Sequence, residues 1–305
     1  MRVLLTGATG YVGSYVLREL LRQGHTPRCL IRGPASDLAV QDESIEIVSG
    51  DVTDASSLWG LFSDCDAVIH LVGILEEHPR QGVTFERLHV DATRNVVEGA
   101  VDAGIECFIQ MSANGARPDA GTVYQETKWT AEQIVKNAGF DHWTIFRPAL
   151  LFGRPDPGRP EFSSTLLRDL VRPFPILPVF GDGQFELQPV HANEVASAFV
   201  DALTLDAARE NTYVAAGPDR YPYVEILDRI ALGAGLDPKP KVKVPIALAR
   251  IGVNTVGRVG LLPISSEQFE MLIEGNTGDE SAFYRDFDLP GTRYIPANLQ
   301  YLEDM

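Results

Sequence analysis

Tyr124 and Lys128 are the two residues whose types and spacing point most directly to chemistry. They lie four positions apart inside a predicted helix, so their side chains share one face. A free tyrosine has a pKa of about 10, too high for efficient acid–base catalysis at neutral pH. Because a nearby ammonium favours the phenolate and lowers that pKa, the pair predicts a proton-transferring tyrosine assisted by a lysine.

A glycine-rich turn at residues 6–13 could hold the phosphates of a dinucleotide. Gly7 permits a tight turn, Gly10 lets the backbone approach a pyrophosphate, and Gly13 lets the next helix pack on the preceding strand. The helix N-terminus adds N–H donors and partial positive charge. We therefore expect a bound nicotinamide dinucleotide, whose ribose hydroxyls Lys128 could hold. The other contacts predicted in the turn are Thr9, Tyr11 and Val12.

Arg32 indicates which dinucleotide the sequence favours. It follows the second predicted strand, where a carboxylate would bind a ribose 2′-hydroxyl and a basic residue would accept a 2′-phosphate. No acid follows it until Asp37. Because a guanidinium can make two charge-assisted bonds to phosphate, NADP(H) is favoured over NAD(H). A solvated surface arginine is the alternative interpretation.

The elements that must position these residues alternate between short apolar runs and helical patterns, which is typical of a parallel α/β sheet. Three predicted helices end near a glycine and lead into a strand, so one βα unit repeats and predicts a Rossmann-type doubly wound sheet. The predicted strands are Arg2–Thr6, Pro27–Ile31, Ile45–Ser49, Ala67–Leu71, Cys107–Met111 and Trp143–Phe146. The predicted helices are Tyr11–Gln23, Phe85–Ala103 and Val123–Asn137.

The pattern changes at the loop of residues 153–160, whose glycines and prolines exclude regular structure. We predict a dinucleotide-binding domain at 1–152, to which 186–216 return, and a smaller C-terminal substrate lobe at 153–185 and 217–305. The later predicted elements are helices Asn193–Leu205, Tyr223–Leu232, Ile246–Val259 and Ser266–Ile273, and a strand at Thr212–Ala215.

Composition excludes several classes of function. The net charge is −16 and the sequence holds no basic block, which argues against a nucleic-acid partner. The six histidines and three cysteines show no metal-ligand spacing, so no metal site is predicted. The irregular cysteine gaps favour reduced thiols. With a strand predicted directly after Met1-Arg2, we expect no signal peptide and a cytoplasmic protein.

Residues 244–262 form the longest apolar stretch, and charged or polar residues at 250, 254 and 258 interrupt it. We therefore expect no transmembrane segment. Arg250, Asn254 and Arg258 recur every fourth position and would line one side of a helix. We expect this amphipathic helix to pack on its own domain, and a membrane-peripheral or partner-facing helix is the alternative.

These motifs together resemble the short-chain dehydrogenase/reductase superfamily, in its extended, epimerase-like and atypical branches. Further similar segments lie at 50–54, 70–73, 91–97, 147–153 and 189–196. Within the superfamily the likeness is nearest to the NADPH-binding accessory subunit of respiratory complex I and its bacterial relatives. The resemblance implies that these residues also contact the cofactor: Asp51, Val52, Leu71, Val72, Gly73, His89, Lys128, Pro148 and Ala149.

Two positions depart from the family pattern. Ser112 stands alone where paired serines often occur, and the second position is Ala113. The resemblance implies that Ser112 polarises the substrate oxygen, unless it is one residue out of register. His89 replaces the asparagine of the central helix, and could relay protons or be a core or cofactor-edge residue.

Three functions follow as alternatives. The first is an NADPH-dependent oxidoreductase that transfers hydride to or from a carbonyl or carbinol carbon of a small-molecule substrate. The second is a non-catalytic, NADPH-holding accessory or assembly protein docked on a membrane complex. The third is a sugar-nucleotide epimerase or dehydratase. For this third function the candidate phosphate contacts are Arg154, Arg159, Arg168 and Arg172.

Overall fold

The computed structural model describes residues 1–255 and 264–305. Its strands are β1 Arg2–Thr6, β2 Thr26–Ile31, β3 Glu46–Ser49, β4 Ala67–His70, β5 Cys107–Met111, β6 His142–Pro148, β7 Leu151–Phe152, β8 Leu177–Phe180, β9 Glu186–Leu187, β10 Val190–His191, β11 Asn211–Ala215, β12 Tyr221–Pro222 and β13 Lys241–Val244. Its α-helices are α1 Tyr11–Arg22, α2 Ala92–Asp102, α3 Val123–Lys136, α4 Phe162–Leu166, α5 Ala192–Asp201, α6 Tyr223–Gly233, α7 Ile246–Thr255, α8 Ser266–Glu274 and α9 Ser281–Phe287.

Seven parallel strands form the main sheet, in the order β3-β2-β1-β4-β5-β6-β11. The predicted doubly wound sheet is confirmed. The chain runs outward in one direction from β1 to β3 and in the other from β4 to β6, so the strand order reverses between β1 and β4. Ligands of such sheets bind outside the carboxyl ends of the strands at this reversal.

The chain divides into two compact units. The first contains residues 1–148, 192–215 and 281–289, and the second contains 149–191, 216–280 and 290–305. Three segments therefore lie elsewhere than the sequence suggested: 149–152 and 186–191 belong to the second unit, as does residue 216, and 281–289 belong to the first. The second unit holds 186–191 because β9 pairs with β12 and β10 pairs with β7.

Aromatic packing accounts for the return of α9 to the first unit. Phe283 packs edge-on and Phe287 at a tilt against Phe146, with ring centroids 6.3 and 5.5 Å away. The Tyr284 hydroxyl donates to the Glu194 carboxylate at 3.0 Å. Each buried phenylalanine stabilises the fold by about 1.5–3 kcal/mol, which fixes this short helix although nearly seventy residues separate it from β11.

One layer of the first unit's core lies between the sheet and helices α2 and α3. Val68, Val96 and Phe108 are fully buried in it. Helix α1 packs separately against α5. These contacts fix the starts of α1 and α3 relative to the carboxyl ends of β1, β4 and β5.

The second unit has its own core, in which Tyr223, Ile230 and Leu299 are fully buried. Helix α7 begins at the predicted residue, and the predicted continuation to Val259 lies outside the described residues, as does Arg258. In the part of the chain that the structure describes, no helix combines the length and the apolar character that crossing a membrane requires.

Candidate functional site

The glycine-rich turn is closely packed at the start of α1. Gly7 has a φ of +81°, a left-handed conformation that favours glycine. A Cβ on Gly13 would lie 2.8 Å from Ala8 Cα, and closer still to the carbonyl oxygen of Gly7. Any side chain at Gly13 would therefore push α1 off the turn. Backbone this tight around a helix N-terminus suits the diphosphate of a dinucleotide.

The other predicted turn residues lie beside these glycines. Thr9 and Tyr11 are half-buried, and Val12 is buried with 8% of its surface exposed. Gly10 is the N-cap of α1 and has extended backbone, and no side chain among the described residues caps it. As a glycine, the cap residue itself offers no side-chain acceptor to the first N–H groups of the helix.

The end of β4 meets this turn. A Cβ on Gly7 would lie 3.1 Å from the carbonyl carbon of Leu71 and 3.2 Å from the nitrogen of Val72. A Cβ on Gly73 would lie 2.9 Å from Lys128 Nζ. The structure therefore brings Leu71, Val72 and Gly73 together with the turn on one side and with Lys128 on the other.

The residues predicted for the adenosine end lie at the ends of β2 and β3. Arg32 is exposed, and among the described residues it makes no hydrogen bond or ion pair. The Asp37 carboxylate lies so close to Gly33 that a Cβ on this glycine would collide with it. The Asp51 carboxylate accepts hydrogen bonds from the backbone and hydroxyl of Thr53, both at 2.9 Å. Asp37 is thus the acidic residue of the loop that carries Arg32.

Val52 is buried just after Asp51, and its carbonyl accepts a hydrogen bond of 2.9 Å from Asn95 Nδ2. Asn95 belongs to α2, so this contact ties the segment after β3 to the central helix. Sequence reasoning did not assign Asn95 this function.

Tyr124 and Lys128 are both buried on α3, with 9% and 4% of their surface exposed. The helix begins there because the Thr122 hydroxyl caps it, accepting a hydrogen bond from Gln125 N. Lys128 Nζ donates to the carbonyl oxygen of Met111 at 3.0 Å, which is the only hydrogen bond of this ammonium among the described residues. An ammonium has three donors, so two are left for a ligand.

Burial dominates the acid–base behaviour of this pair. Desolvation raises the pKa of Tyr124 to about 12. Desolvation also lowers the pKa of Lys128 to about 8, against a smaller upward effect of the Glu132 carboxylate. The shift of the Tyr124 pKa is therefore opposite in direction to the one expected from the lysine, and Tyr124 is a protonated phenol at neutral pH.

His89 lies in a π-helical turn, Glu86–Asp91, which replaces the first part of the predicted helix Phe85–Ala103. Such turns interrupt helices most often at functional sites. The His89 ring contacts the Tyr124 ring edge-on at a centroid distance of 5.3 Å. The structure therefore places His89 beside the candidate catalytic tyrosine.

Both ring nitrogens of His89 have hydrogen-bond partners. Nδ1 lies 2.9 Å from the Thr127 hydroxyl, and Nε2 lies 3.2 Å from both the backbone nitrogen and the carbonyl oxygen of Ile74. Burial lowers the His89 pKa to about 2. A neutral ring bound on both sides holds α3 to the end of β4, and this arrangement does not favour proton relay.

The Ser112 hydroxyl binds Glu132 rather than facing Tyr124. It donates to Glu132 Oε1 at 2.5 Å, and this fully buried carboxylate also accepts two hydrogen bonds of 2.7 Å from Arg147. A buried carboxylate needs such partners. Glu132 was not identified from the sequence, although it lies two turns after Tyr124 on the same helix.

His70 and Gln110 form a second buried polar pair that sequence reasoning missed. They are register neighbours on β4 and β5, and both have at most 1% of their surface exposed. His70 Nδ1 lies 2.6 Å from the Thr6 hydroxyl, whereas His70 Nε2 and Gln110 Oε1 have no hydrogen-bond partner among the described residues. Buried unpaired polar atoms are uncommon in folded proteins, so these two residues stand out in the sheet of the first unit.

Pro148 and Ala149 stand at the boundary between the units. Pro148 ends β6, and its carbonyl accepts from Asn114 N at 3.0 Å. Ala149 is buried and begins the second unit.

All four candidate phosphate-binding arginines make contacts within the second unit, and Arg159 donates to the carbonyl of Pro157 at 3.4 Å. Arg154 pairs with Asp304 and Arg168 with Asp169, both at 2.7 Å, and Arg172 binds the carbonyls of Leu302 and Met305. Their charges are therefore partly compensated, which does not favour a diphosphate ligand there.

Residues 3–216 match the model of the NAD dependent epimerase/dehydratase family. The chain belongs to this family. The short-chain dehydrogenase/reductase superfamily predicted from the sequence is thereby confirmed. Members of the family are NAD(P)-dependent oxidoreductases and epimerases.

Two curated relatives of this chain are named for different functions, one as an oxidoreductase subunit and one as a reductase. It is 28% identical over 232 residues to the mitochondrial NADH-ubiquinone oxidoreductase 40 kDa subunit of Neurospora crassa, covering 73% of this chain and 58% of that protein. It is 30% identical over 198 residues to the ceramide reductase of Caulobacter vibrioides, covering 65% and 59% respectively. The matches thus span less than two thirds of either relative.

Solved structures confirm the fold of the family. The UDP-glucuronic acid 4-epimerase from Bacillus cereus, solved in complex with NAD, superposes with a TM-score of 0.74 at 18% identity. The superposition covers 100% of this chain and 96% of that one. At this level of identity the likeness concerns the fold alone.

Proposed function

We propose that the chain is an NADP(H)-dependent oxidoreductase acting on a carbonyl or carbinol carbon of a small molecule. The observation that carries the proposal is the buried Lys128 ammonium, which has one acceptor among the described residues. It shares a helix with Tyr124 and lies beside Gly73, which follows the segment packed against the glycine-rich turn. A buried cation with unused donors favours a ligand rich in hydroxyls or phosphates. The enzyme would be cytoplasmic.

In the proposed enzyme each residue of the candidate site has one role. The turn around Gly7 and Gly13 binds the diphosphate, and two N–H groups of Lys128 bind ribose hydroxyls. A bound nicotinamide supplies or takes up the hydride. Tyr124, protonated at neutral pH because burial raises its pKa to about 12, gives its proton to the substrate oxygen when a carbonyl is reduced. His89 holds the tyrosine ring and the loop after β4 in place.

Arg32 should determine whether the protein binds NADPH more tightly than NADH. We expect Arg32→Ala to weaken NADPH binding about tenfold to 150-fold and NADH binding less than about twofold, since a charge-assisted phosphate contact contributes about 1.5–3 kcal/mol. Fluorescence titration of both cofactors measures this. Asp37→Asn is the matched variant in the same loop, and it should improve NADPH binding relative to NADH. Equal losses of both cofactors in Arg32→Ala would contradict the assignment.

Lys128 should make cofactor binding depend on pH. Its folded-state pKa is lowered to about 8, so the ammonium is present below pH 8 and is lost as the pH rises above it. NADPH affinity should therefore fall by up to about tenfold per pH unit above pH 8, because binding requires the proton. Titration calorimetry across this range measures the slope. Lys128→Met should bind weakly at every pH and show no slope; a slope that persists in this variant would assign the titration to another group.

A non-catalytic NADPH-holding protein is the second candidate, and one observation favours it. The Ser112 hydroxyl is committed to Glu132, which leaves no serine at this position to polarise a substrate. A relative named as a respiratory-complex subunit fits a chain that docks on a membrane complex. A panel of aldehydes, ketones and thioesters with NADPH, followed at 340 nm, separates the candidates. Turnover of any member supports the enzyme, whereas cofactor retained through purification without turnover supports the holder.

A further inference from the structure

Glu132 is a buried charged residue of α3 that has no role in the proposed function. We propose that it is a positioning residue for Lys128, whose ammonium it holds in place and keeps charged. The consequence for cofactor binding rests on the proposed function, whereas the effect of Glu132 on Lys128 can be measured without any cofactor.

Helix geometry brings the two side chains together. Lys128 and Glu132 lie four positions apart on α3, so they share one face, with Cβ atoms about 5–6 Å apart. Lys128 has 4% of its surface exposed, and Glu132 is fully buried. The two form no ion pair among the described residues. The carboxylate therefore acts on the ammonium across a short gap, in which little water screens its charge.

The end of β5 fixes this gap. The Met111 carbonyl accepts a hydrogen bond from Lys128 Nζ at 3.0 Å. The next residue, Ser112, donates its hydroxyl to Glu132 Oε1 at 2.5 Å. Two consecutive residues at one strand end thus bind two consecutive turns of α3, so a change at Glu132 reaches the acceptor that orients Lys128.

Strand β6 supplies the main partner of the carboxylate. Ser112 N donates to Phe146 O at 2.7 Å, which places the following residue, Arg147, beside Ser112. The Arg147 guanidinium donates to both oxygens of Glu132 at 2.7 Å, and Lys136 Nζ lies 3.8 Å from Oε2. A buried ion pair is often no more stable than apolar residues of similar volume. Stability alone therefore does not explain a carboxylate at this position.

The other titratable groups that face Lys128 carry no charge at neutral pH. Burial lowers the pKa of His70, on β4, to about 3, and that of His89, in the π-helical turn, to about 2. Tyr124 is a protonated phenol. Burial lowers the pKa of Lys128 to about 8, and the Glu132 carboxylate opposes this shift. Without the carboxylate, Lys128 would lose its proton within the neutral range.

Nuclear magnetic resonance of the full chain without added cofactor tests the proposal. The chain contains five lysines, so lysine labelled with ¹³C at Cε gives few signals, and Lys128→Met identifies the one to follow. The wild-type signal should titrate with a midpoint near pH 8. In Glu132→Gln the midpoint should fall to about 7, because the amide keeps an acceptor for Ser112 but removes the charge.

Arg147→Gln should move the midpoint the other way, to about 9, because the Glu132 charge then acts on Lys128 without its own cation. Glu126→Gln is the matched control. It removes a charge from the same helix two positions before Lys128, on another face, and should titrate like the wild type. A general loosening of the fold would move the midpoint in the same direction in both Glu132→Gln and Arg147→Gln.

A thermal melt of each variant shows whether it is folded, and Arg147→Gln decides alone if Glu132→Gln does not fold. Opposite shifts of the Lys128 midpoint support the proposal. A midpoint that stays at the wild-type value in a folded Glu132→Gln or Arg147→Gln protein, or that falls in both, overturns it.

NADPH titration at two pH values separates this inference from the proposed function. At pH 8 Glu132→Gln should bind NADPH about fivefold more weakly than the wild type, and at pH 6 the two should differ by less than about 1.5-fold, as midpoints of about 7 and 8 require. If the midpoint falls and NADPH affinity does not follow, Lys128 does not bind the cofactor. The proposed function then fails, whereas the role of Glu132 toward Lys128 stands.

Discussion

Replacing Tyr124 with phenylalanine should lower turnover about a thousandfold while NADPH affinity stays within about twofold of the wild type, because general acid catalysis contributes about 10²–10⁴ in rate. The variant removes only the hydroxyl. The ring packs edge-on against Phe85 and His89, with centroid distances of 5.6 and 5.3 Å, and a phenylalanine keeps both contacts. The loss would therefore fall on kcat rather than on stability or cofactor binding.

The pH dependence of the rate in each direction follows from the pKa of this residue. Since burial raises the pKa of Tyr124 to about 12, the phenol is protonated throughout the neutral range. It can give a proton to a carbonyl oxygen during reduction without prior titration. Oxidation of a carbinol requires the phenolate, whose fraction grows with pH up to the tyrosine pKa of about 12. The oxidation rate should therefore rise with pH over the range in which the Lys128 ammonium and the folded state persist.

The control for Tyr124→Phe is a second buried tyrosine of the same unit. The Tyr213 hydroxyl donates to the carbonyl of Ala207 and to Asp286, at 2.9 and 3.0 Å. Tyr213→Phe should cost about 1 kcal/mol of stability and leave turnover unchanged. Both variants are compared by steady-state kinetics at 340 nm and by chemical denaturation. If Tyr124→Phe turns over as fast as the wild type, the proposed acid is wrong.

Local patterns were enough to predict the elements that position the candidate site. The strands at 2–6 and 107–111 have the predicted bounds, and α1 and α3 begin at the predicted residues. Buried apolar runs determine the bounds of these strands, and helix-start residues determine where the helices begin. Both signals depend only on residues that are close in the sequence. The spacing of Tyr124 and Lys128 on one helix face follows from helix geometry alone.

Contacts between distant residues could not be predicted in the same way. Glu132 binds Ser112 and Arg147 because α3, β5 and β6 meet, and no spacing in the sequence links the three. The shift of the Tyr124 pKa depends on how deeply α3 buries the phenol, whereas its sequence neighbour Lys128 suggested the opposite direction. The return of α9 to the first unit likewise depends on Phe146, well over a hundred residues earlier.

Replacing Gly13 with alanine should weaken NADPH binding about a hundredfold and lower the free energy of unfolding by about 2–3 kcal/mol. The new Cβ would lie 2.8 and 2.9 Å from Ala8 Cα and the Ala8 carbonyl carbon, and closer still to the Gly7 carbonyl oxygen. All three atoms are backbone, so no side chain can rotate away. The first turn of α1 would have to move, and the N–H groups proposed to bind the diphosphate would move with it.

Gly252→Ala provides the matched control. A Cβ on Gly252, in α7, would meet no described atom within 4 Å, and its φ is not in the left-handed region. This variant should be neutral or stabilising by up to about 1 kcal/mol, because alanine favours a helix interior. Cofactor titration and urea denaturation are measured on both variants. A Gly13→Ala protein that binds NADPH like the wild type would show that the start of α1 does not hold the diphosphate, and the cofactor would then have to be placed elsewhere in the first unit.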